Sequence, residues 1–154
     1  MLRAVTGGAG DVRVRQLLPD DAASVAQLLG QLRYFAQVAE VRDRIAAWTG
    51  DGRGSVFGAS VEDAVVGCAA VYVVPFFERT GARARLVALV VDARHRRRGV
   101  GTLLVDHVRD FARRHGAVEL EVTSRRERTD AERFYRGLGF ADVTGRSRRY
   151  IAEL

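Results

Sequence analysis

Apolar residues along this chain change period several times, and each change marks an element. Over residues 11–17, Val12 and Val14 alternate with polar neighbours, which predicts a first strand. Ala22, Val25, Leu28, Leu29 and Leu32 recur at helical spacing behind Asp20 and Asp21, either of which can cap a helix. Val38, Val41, Ile45 and Trp48 predict a second, short helix before Gly50. Two apolar runs of strand length, 55–61 and 64–74, are split by Glu62 and Asp63, a short hairpin signal. Residues 86–91 form a third such run, and its lack of alternation predicts burial on both faces. Past a basic cluster, Leu103, Leu104, Val108 and Phe111 return to helical spacing and stop near Gly116. Residues 117–124 read as a strand with Leu120 and Val122 inward, and Glu119, Glu121 and Thr123 on the other face.

Thr129, Asp130, Ala131 and Glu132 have capping-box spacing, so a helix is expected from about Asp130 to Gly137 or Gly139, with Phe134 and Tyr135 in its second turn. Residues 140–143 and 149–152 look strand-like around Gly145. The order βααβββαβαββ predicts an α/β (mixed α+β) fold, a central mixed sheet of six to seven strands with helices on both faces. Residues 1–10 are small and glycine-rich, which predicts a flexible tail ahead of a single domain over 11–154.

The junction after residue 91 carries the candidate chemistry. Asp92 ends the strand, Arg94, His95, Arg96, Arg97 and Arg98 follow, and Gly99 and Gly101 open the helix. The first N–H groups of a helix lack partners and lie at the positive end of its dipole, so they attract anions. Glycine there keeps side chains away from a phosphate. An ordinary crossover with a solvated charge run would look the same.

Composition narrows the choice. The 154 residues carry a net charge of +6 and no lysine, so every cation other than histidine is arginine. A Walker A loop and a pyridoxal Schiff base both need lysine and are excluded. The basic excess could serve nucleic acid, but the arginines cluster at 94–98, 125–128 and 146–149 without interleaved aromatics or a helix-turn-helix, which makes nucleic acid the weaker reading. Cys68 stands alone in an apolar run, which excludes an internal disulfide and a cysteine metal cluster and points to a small core residue. No segment reaches the ~18 apolar residues of a membrane helix and no signal-peptide core is seen, so the expectation is a soluble, cytoplasmic protein with no membrane partner. A homodimer is left open.

Arg96-Arg97-Arg98-Gly99-Val100-Gly101, after a Leu-Val-Val-Asp strand, resembles the Arg/Gln-x-x-Gly-x-Gly/Ala signature of the GCN5-related N-acetyltransferases, and the segment from Phe134 to Phe140 is similar to that family's Tyr-x-x-x-Gly-Phe motif. The resemblance runs in order over roughly residues 11–154. It implies acetyl-coenzyme A as cosubstrate, an amine acceptor and no metal. It implies splayed parallel strands, here 86–91 and 118–124, with the coenzyme entering between them. Leu89, Val90 and Val91 would then lie along the pantetheine, with backbone groups of Leu89 and Val91 offered to its amides. Arg96, Arg97, Arg98, Gly99, Val100, Gly101 and Thr102 would hold the pyrophosphate, with Arg128 and Phe134 also on the coenzyme. Tyr135 would be the acid that protonates the departing thiolate. Tyr34 and Phe35, in the link between the first two helices, are candidate walls of the acceptor site, and their alternative is packing onto the sheet. Phe76 and Phe77 either line an acceptor pocket or tuck against the core.

Two family features are absent. Many relatives carry a glutamate where this chain has Val87, followed by Ala88, and neither residue moves a proton. An asparagine near the coenzyme is replaced by a region holding Arg125 and Arg128. Glu119 and Glu121 are the substitute bases, acting through water, against a reading as surface carboxylates. A nonenzymatic acyl-coenzyme A sensor is therefore the rival to an N-acetyltransferase. A dinucleotide site fits less well, because Leu104 stands where a third glycine is needed.

Overall fold

A computed structural model describes residues 11–146 and 149–154. The tail expected over residues 1–10 lies outside the described residues. The chain divides into two compact units, Met1–Thr123 and Ser124–Leu154.

The first unit is built on one five-stranded sheet in the order β1-β2-β3-β4-β5. These are β1 (Arg13–Gln16), β2 (Gly54–Val61), β3 (Ala64–Pro75), β4 (Ala82–Val91) and β5 (Ala117–Val122). The first three pairings are antiparallel and β4–β5 is parallel. Three helices, α1 (Ala22–Gln31), α2 (Val38–Thr49) and α3 (Val100–Arg114), cover it. Consecutive residues of β3 show how. Cys68 is buried in a cluster with Val25 and Leu28 of α1 and Val41 and Ile45 of α2, whereas a Cβ on Gly67 would sit 3.2–3.3 Å from Leu104 and Val100 of α3. Adjacent strand residues face opposite ways, so α1 and α2 share one face and α3 takes the other. The helices do lie on both faces, as the sequence implied. Burial pushes the Cys68 thiol up to about 12, which leaves it a small core residue.

The periodicities hold where they were strong. Val25 and Leu28 of α1, Val41 and Ile45 of α2, and Leu103, Leu104, Val108 and Phe111 of α3 are buried. Leu17 is fully buried after β1, and it fits because the facing residue is Gly58, where a Cβ would stand 2.4 Å from Leu17 Cδ2. Glu62 and Asp63 join β2 to β3 with φ of 48° and 65°, the backbone of a type I′ turn.

In the second unit, α4 (Thr129–Gly137) is the one α-helix among the described residues, followed by a 3-10 turn over Thr144–Arg146. Three expectations need correction. Thr129 is the first helical residue and not the cap, and the Glu132 carboxylate accepts from Arg136 Nε at 2.9 Å one turn on, so no capping box forms. Residues 140–143 and 149–152 form no strand, and among the described residues the sheet has five strands where six to seven were expected. The first run is cut short by Asp142, whose Oδ1 accepts the Thr144 N–H at 2.9 Å and turns the chain, and the second is exposed throughout with no strand beside it. The third concerns residues 86–91. They are not buried on both faces, because Val87 is half-exposed. Among the described residues no helix is long and apolar enough to cross a membrane.

The turn at Glu62 and Asp63 gives a test of the hairpin. Both residues sit at positive φ, which costs an L-residue stability that Asn-Gly does not lose. Glu62→Asn with Asp63→Gly should therefore stabilise the protein by about 1 kcal/mol, roughly 2–4 °C in Tm. A thermal melt showing no gain or a loss would mean that the turn is not of this type.

Candidate active site

The β4 strand changes partners halfway along. Its first half pairs with β5 from Ala82–Ala117 to Leu86–Val122, and the ladder stops there. At the same place its register with β3 shifts, because Ala70 faces Ala88 while Val71 faces Leu86. Val87 is therefore the extra residue of a β-bulge, and a bulge bends a strand and raises its twist. Beyond it, residues 87–91 have β3 on one edge and no ladder to β5 on the other. The bulge explains the missing alternation of 86–91, since it resets which residues face each side.

Backbone direction in this open half follows from one bond. The Asp92 N–H donates to Val66 O on β3 at 2.8 Å, so by alternation Val90 and Ala88 also turn toward β3, whereas Leu89 and Val91 turn their N–H and C=O groups to the open edge. The Val91 carbonyl is already taken, accepting from Arg96 Nε at 3.0 Å. Val90 is a core residue whose side chain packs with α1 and α2.

The chain then makes the turn that the glycines predicted. Residues Ala93–His95 form a short 3-10 turn, Arg97 has φ 61°, and Gly99, with φ 80°, is the N-cap of α3. A Cβ on Gly99 would meet no atom within 4 Å, so this helix end faces open space. The N–H groups of Val100, Gly101 and Thr102 fall in its unpaired first turn. Val100 itself is buried and anchors the helix, and Arg96, Arg97, Arg98 and Thr102 are exposed.

Asp92 holds the start of this turn. It is only 9 % exposed, and its carboxylate accepts from the Arg94 backbone N–H (2.9 Å), Arg94 Nε (3.0 Å) and Nη2 (3.2 Å), and Gln31 Nε2 (3.1 Å). The Arg94 side chain, then its backbone N–H and Gln31, hold the carboxyl well below the usual range. The same Gln31 accepts the Ala93 N–H at 3.1 Å. Sequence reading missed Gln31, which nothing in the chain links to a partner sixty-one residues away.

The two alternative bases are engaged. The β4–β5 register sets Arg83 opposite Glu119 and Arg85 opposite Glu121. Glu119 is bridged by Arg83 and Arg79, and the Arg83 contact chiefly lowers its pKa. Glu121 pairs with Arg85 at 3.1 Å. Beside them a shallow hollow of about 240 Å³ is lined by Val74, Pro75, Phe76, Arg83, Arg85 and Glu121. Phe76 lies half-buried there under the Arg79 guanidinium, 3.7 Å from its ring centre, while Phe77 is fully exposed. Neither phenylalanine is in the core. Tyr34 and Phe35 are exposed on the α1–α2 link, which corrects any reading of them as packed onto the sheet.

The second unit gathers its own candidates. The Phe134 and Tyr135 rings meet edge to face at 5.3 Å, and Tyr135 meets Phe140 likewise at 5.4 Å. Burial raises the pKa of the Tyr135 phenol, partly offset by Arg128, so it keeps its proton at neutral pH. Arg128 itself is paired with Asp130.

Residues 22–140 match the acetyltransferase (GNAT) family. No curated protein matches the chain in sequence. Among solved structures, a transcriptional regulator from Bacillus halodurans is 20% identical with a TM-score of 0.80, and the match covers 93% of this chain and 99% of that one. An acetyltransferase from Trypanosoma brucei is 24% identical (TM-score 0.77; 94% and 100% covered), and a ribosomal-protein-alanine N-acetyltransferase from Brucella melitensis 20% identical (0.75; 93% and 99%). At these identities the likeness is one of fold.

Asp92 makes the acid sensitivity of the turn measurable. A carboxyl whose folded pKa is depressed contributes stability above its unfolded pKa, about 3.9, and loses it as pH falls toward the folded value. Asp92→Asn should therefore be less stable than the parent by a constant margin above about pH 5, and that margin should shrink below about pH 4. Urea titrations showing a margin that does not change between pH 7 and pH 2.5 would rule out the assigned contacts.

Proposed function

The chain belongs to the acetyltransferase (GNAT) family, and from that premise we propose that it is an N-acetyltransferase, moving the acetyl group of acetyl-coenzyme A to a primary amine of a small molecule or peptide by direct attack. The observation that carries this reading is the parting of β4 from β5 at Val87, on the strand that leads into the uncovered N-terminus of α3. The family match runs across residue 123, and we take residues 11–154 to serve as one catalytic domain.

The residues present fit the cosubstrate. The N–H groups of Val100, Gly101 and Thr102, with Gly99 beside them and Arg96, Arg97 and Arg98 adding charge, suit a pyrophosphate. The Leu89 N–H and C=O and the Val91 N–H, all turned to the open edge, suit the amides of a pantetheine arm. Bound there, acetyl-coenzyme A supplies a thioester carbonyl and a thiolate leaving group. An N–H of the open half of β4 would polarise that carbonyl. Tyr135, protonated at neutral pH, would donate its phenolic proton to the thiolate, with Phe134 packed against it. Arg128 would reach a phosphate only by leaving Asp130. Tyr34, Phe35 and Phe76 remain the proposed acceptor walls, Phe76 through the hollow it lines. Among the described residues weighed for the role of base, Val87 cannot take a proton and Glu119 and Glu121 are paired with arginines. An alkylamine near pKa 10.4 is neutral in only about one molecule in a thousand at pH 7, so the acceptor must arrive in that form. The same lack of a base favours the second reading, an acyl-coenzyme A sensor that binds without transfer.

Two measurements test the proposal. Acetyl-coenzyme A, unlike NAD or duplex DNA, should raise Tm, and Gly101→Glu should abolish most of that rise while costing the fold only about 1 kcal/mol. Unchanged affinity of a folded Gly101→Glu variant would place the site elsewhere. Once an acceptor is found, Tyr135→Phe should lower kcat about 100-fold with coenzyme affinity nearly unchanged. A rate within twofold of the parent would assign Tyr135 to packing, and coenzyme binding without transfer to any amine would favour the sensor.

A further inference from the structure

We infer that Gln31 is a positioning residue that fixes the coenzyme turn to the end of α1, an inference that rests on the reading of that turn as the acetyl-coenzyme A site. The turn needs an anchor. Between the last residue of β4 and the first of α3 it holds Arg94, Arg96, Arg97 and Arg98, which repel one another, and it bends through positive φ at Arg97 and Gly99. The bonds from Arg94 to Asp92 are local and move with the turn. Gln31 reaches it from another element.

Both ends of the Gln31 amide are used. Its Nε2 donates to Asp92 Oδ2 and its Oε1 accepts from the Ala93 N–H, each at 3.1 Å. Only a side chain with a donor and an acceptor side by side can hold a carboxylate and the next N–H together; a carboxylate at position 31 would face Asp92 with like charge, and a thioether would satisfy neither group. The helix that presents it is itself fixed. Val25 and Leu28 of α1 share a buried cluster with Val90, two residues before Asp92. The helix then stops at once, with the Leu32 N–H turning back to Leu29 O at 2.9 Å and Arg33 at φ 64°, so Gln31 is held at a defined end. A turn held in its binding conformation beforehand need not be ordered by the ligand, and affinity gains by that amount. The α1–α2 link with Tyr34 and Phe35 leaves from this same point, so the coenzyme turn and the proposed acceptor wall share one anchor.

The test uses the full chain and coenzyme A. Gln31 is exposed, so its substitution leaves the core intact. Gln31→Met should bind coenzyme A about tenfold more weakly by calorimetry, and should raise the KM for acetyl-coenzyme A to match while kcat at saturation stays within twofold. Gln31→Glu should be at least as weak. Circular dichroism confirms that each variant is folded. If the parent binds coenzyme A and Gln31→Met binds it equally, the inference is overturned while the site stands. A parent that binds no coenzyme A overturns the reading of the turn itself, and the inference with it.

Discussion

Strand β4 has two neighbours that make different demands, and the way it meets them shapes the site. Along β3 it pairs antiparallel from Ala82 to Val91; along β5 it pairs parallel only as far as Leu86. Val87, inserted as a bulge, lets the first pairing continue while the second ends. The cost is a row of backbone groups with no strand to bond. Buried or half-buried N–H and C=O groups are seldom left unpaired. Arg96 already answers for one of them, at Val91. In the proposed function the rest would be satisfied by a ligand with amides along its length.

The other half of the site depends on α3 being held rigidly against the opposite face. Val100, Leu104, Val105 and Val108 are almost wholly buried, which seats the helix against the sheet. Without that packing the dipole and the unpaired N–H groups would still exist, but not at a fixed place relative to the open edge of β4. The six residues separating Val91 from Arg98 are what connect the two halves. Half of them are arginines, and the turn is tied down by a buried carboxylate at its start and by Val100 in the core beyond its end.

Much of this was legible in the sequence because it depends on period and on local geometry. The helices followed from apolar spacing, the hairpin from two polar residues between β-branched runs, and the helix-opening turn from Gly99 and Gly101. What was not legible depends on contacts between distant residues. The bulge at Val87 leaves no mark on the chain, because valine fits a regular strand as well, and its effect was misread as burial on both faces. Gln31 looked like any polar residue at a helix end. The missing capping box at Thr129 has a local cause, since Arg136 takes the Glu132 carboxylate that the box would need, but propensity rules do not weigh that competition. The runs at 140–143 and 149–152 show that apolar content in a short segment does not make a strand when no neighbour is there to pair with it.

The pairing that ends at Leu86 also decides how protons can move. Its register puts Arg83 against Glu119 and Arg85 against Glu121, so the carboxylates nearest the opening are neutralised by the ladder that creates the opening. A carboxylate held below its ordinary pKa is a weaker base. Arginine, the only long cation in the chain, does not lose its proton near neutrality and cannot take the role either. In the proposed function, proton transfer would be lopsided: Tyr135, a phenol that burial keeps protonated, would give a proton away, while Glu119 and Glu121 are engaged with arginines. The acceptor of that proposed reaction would be one that has already shed its proton, and departure of the leaving group would be the step on which the protein acts.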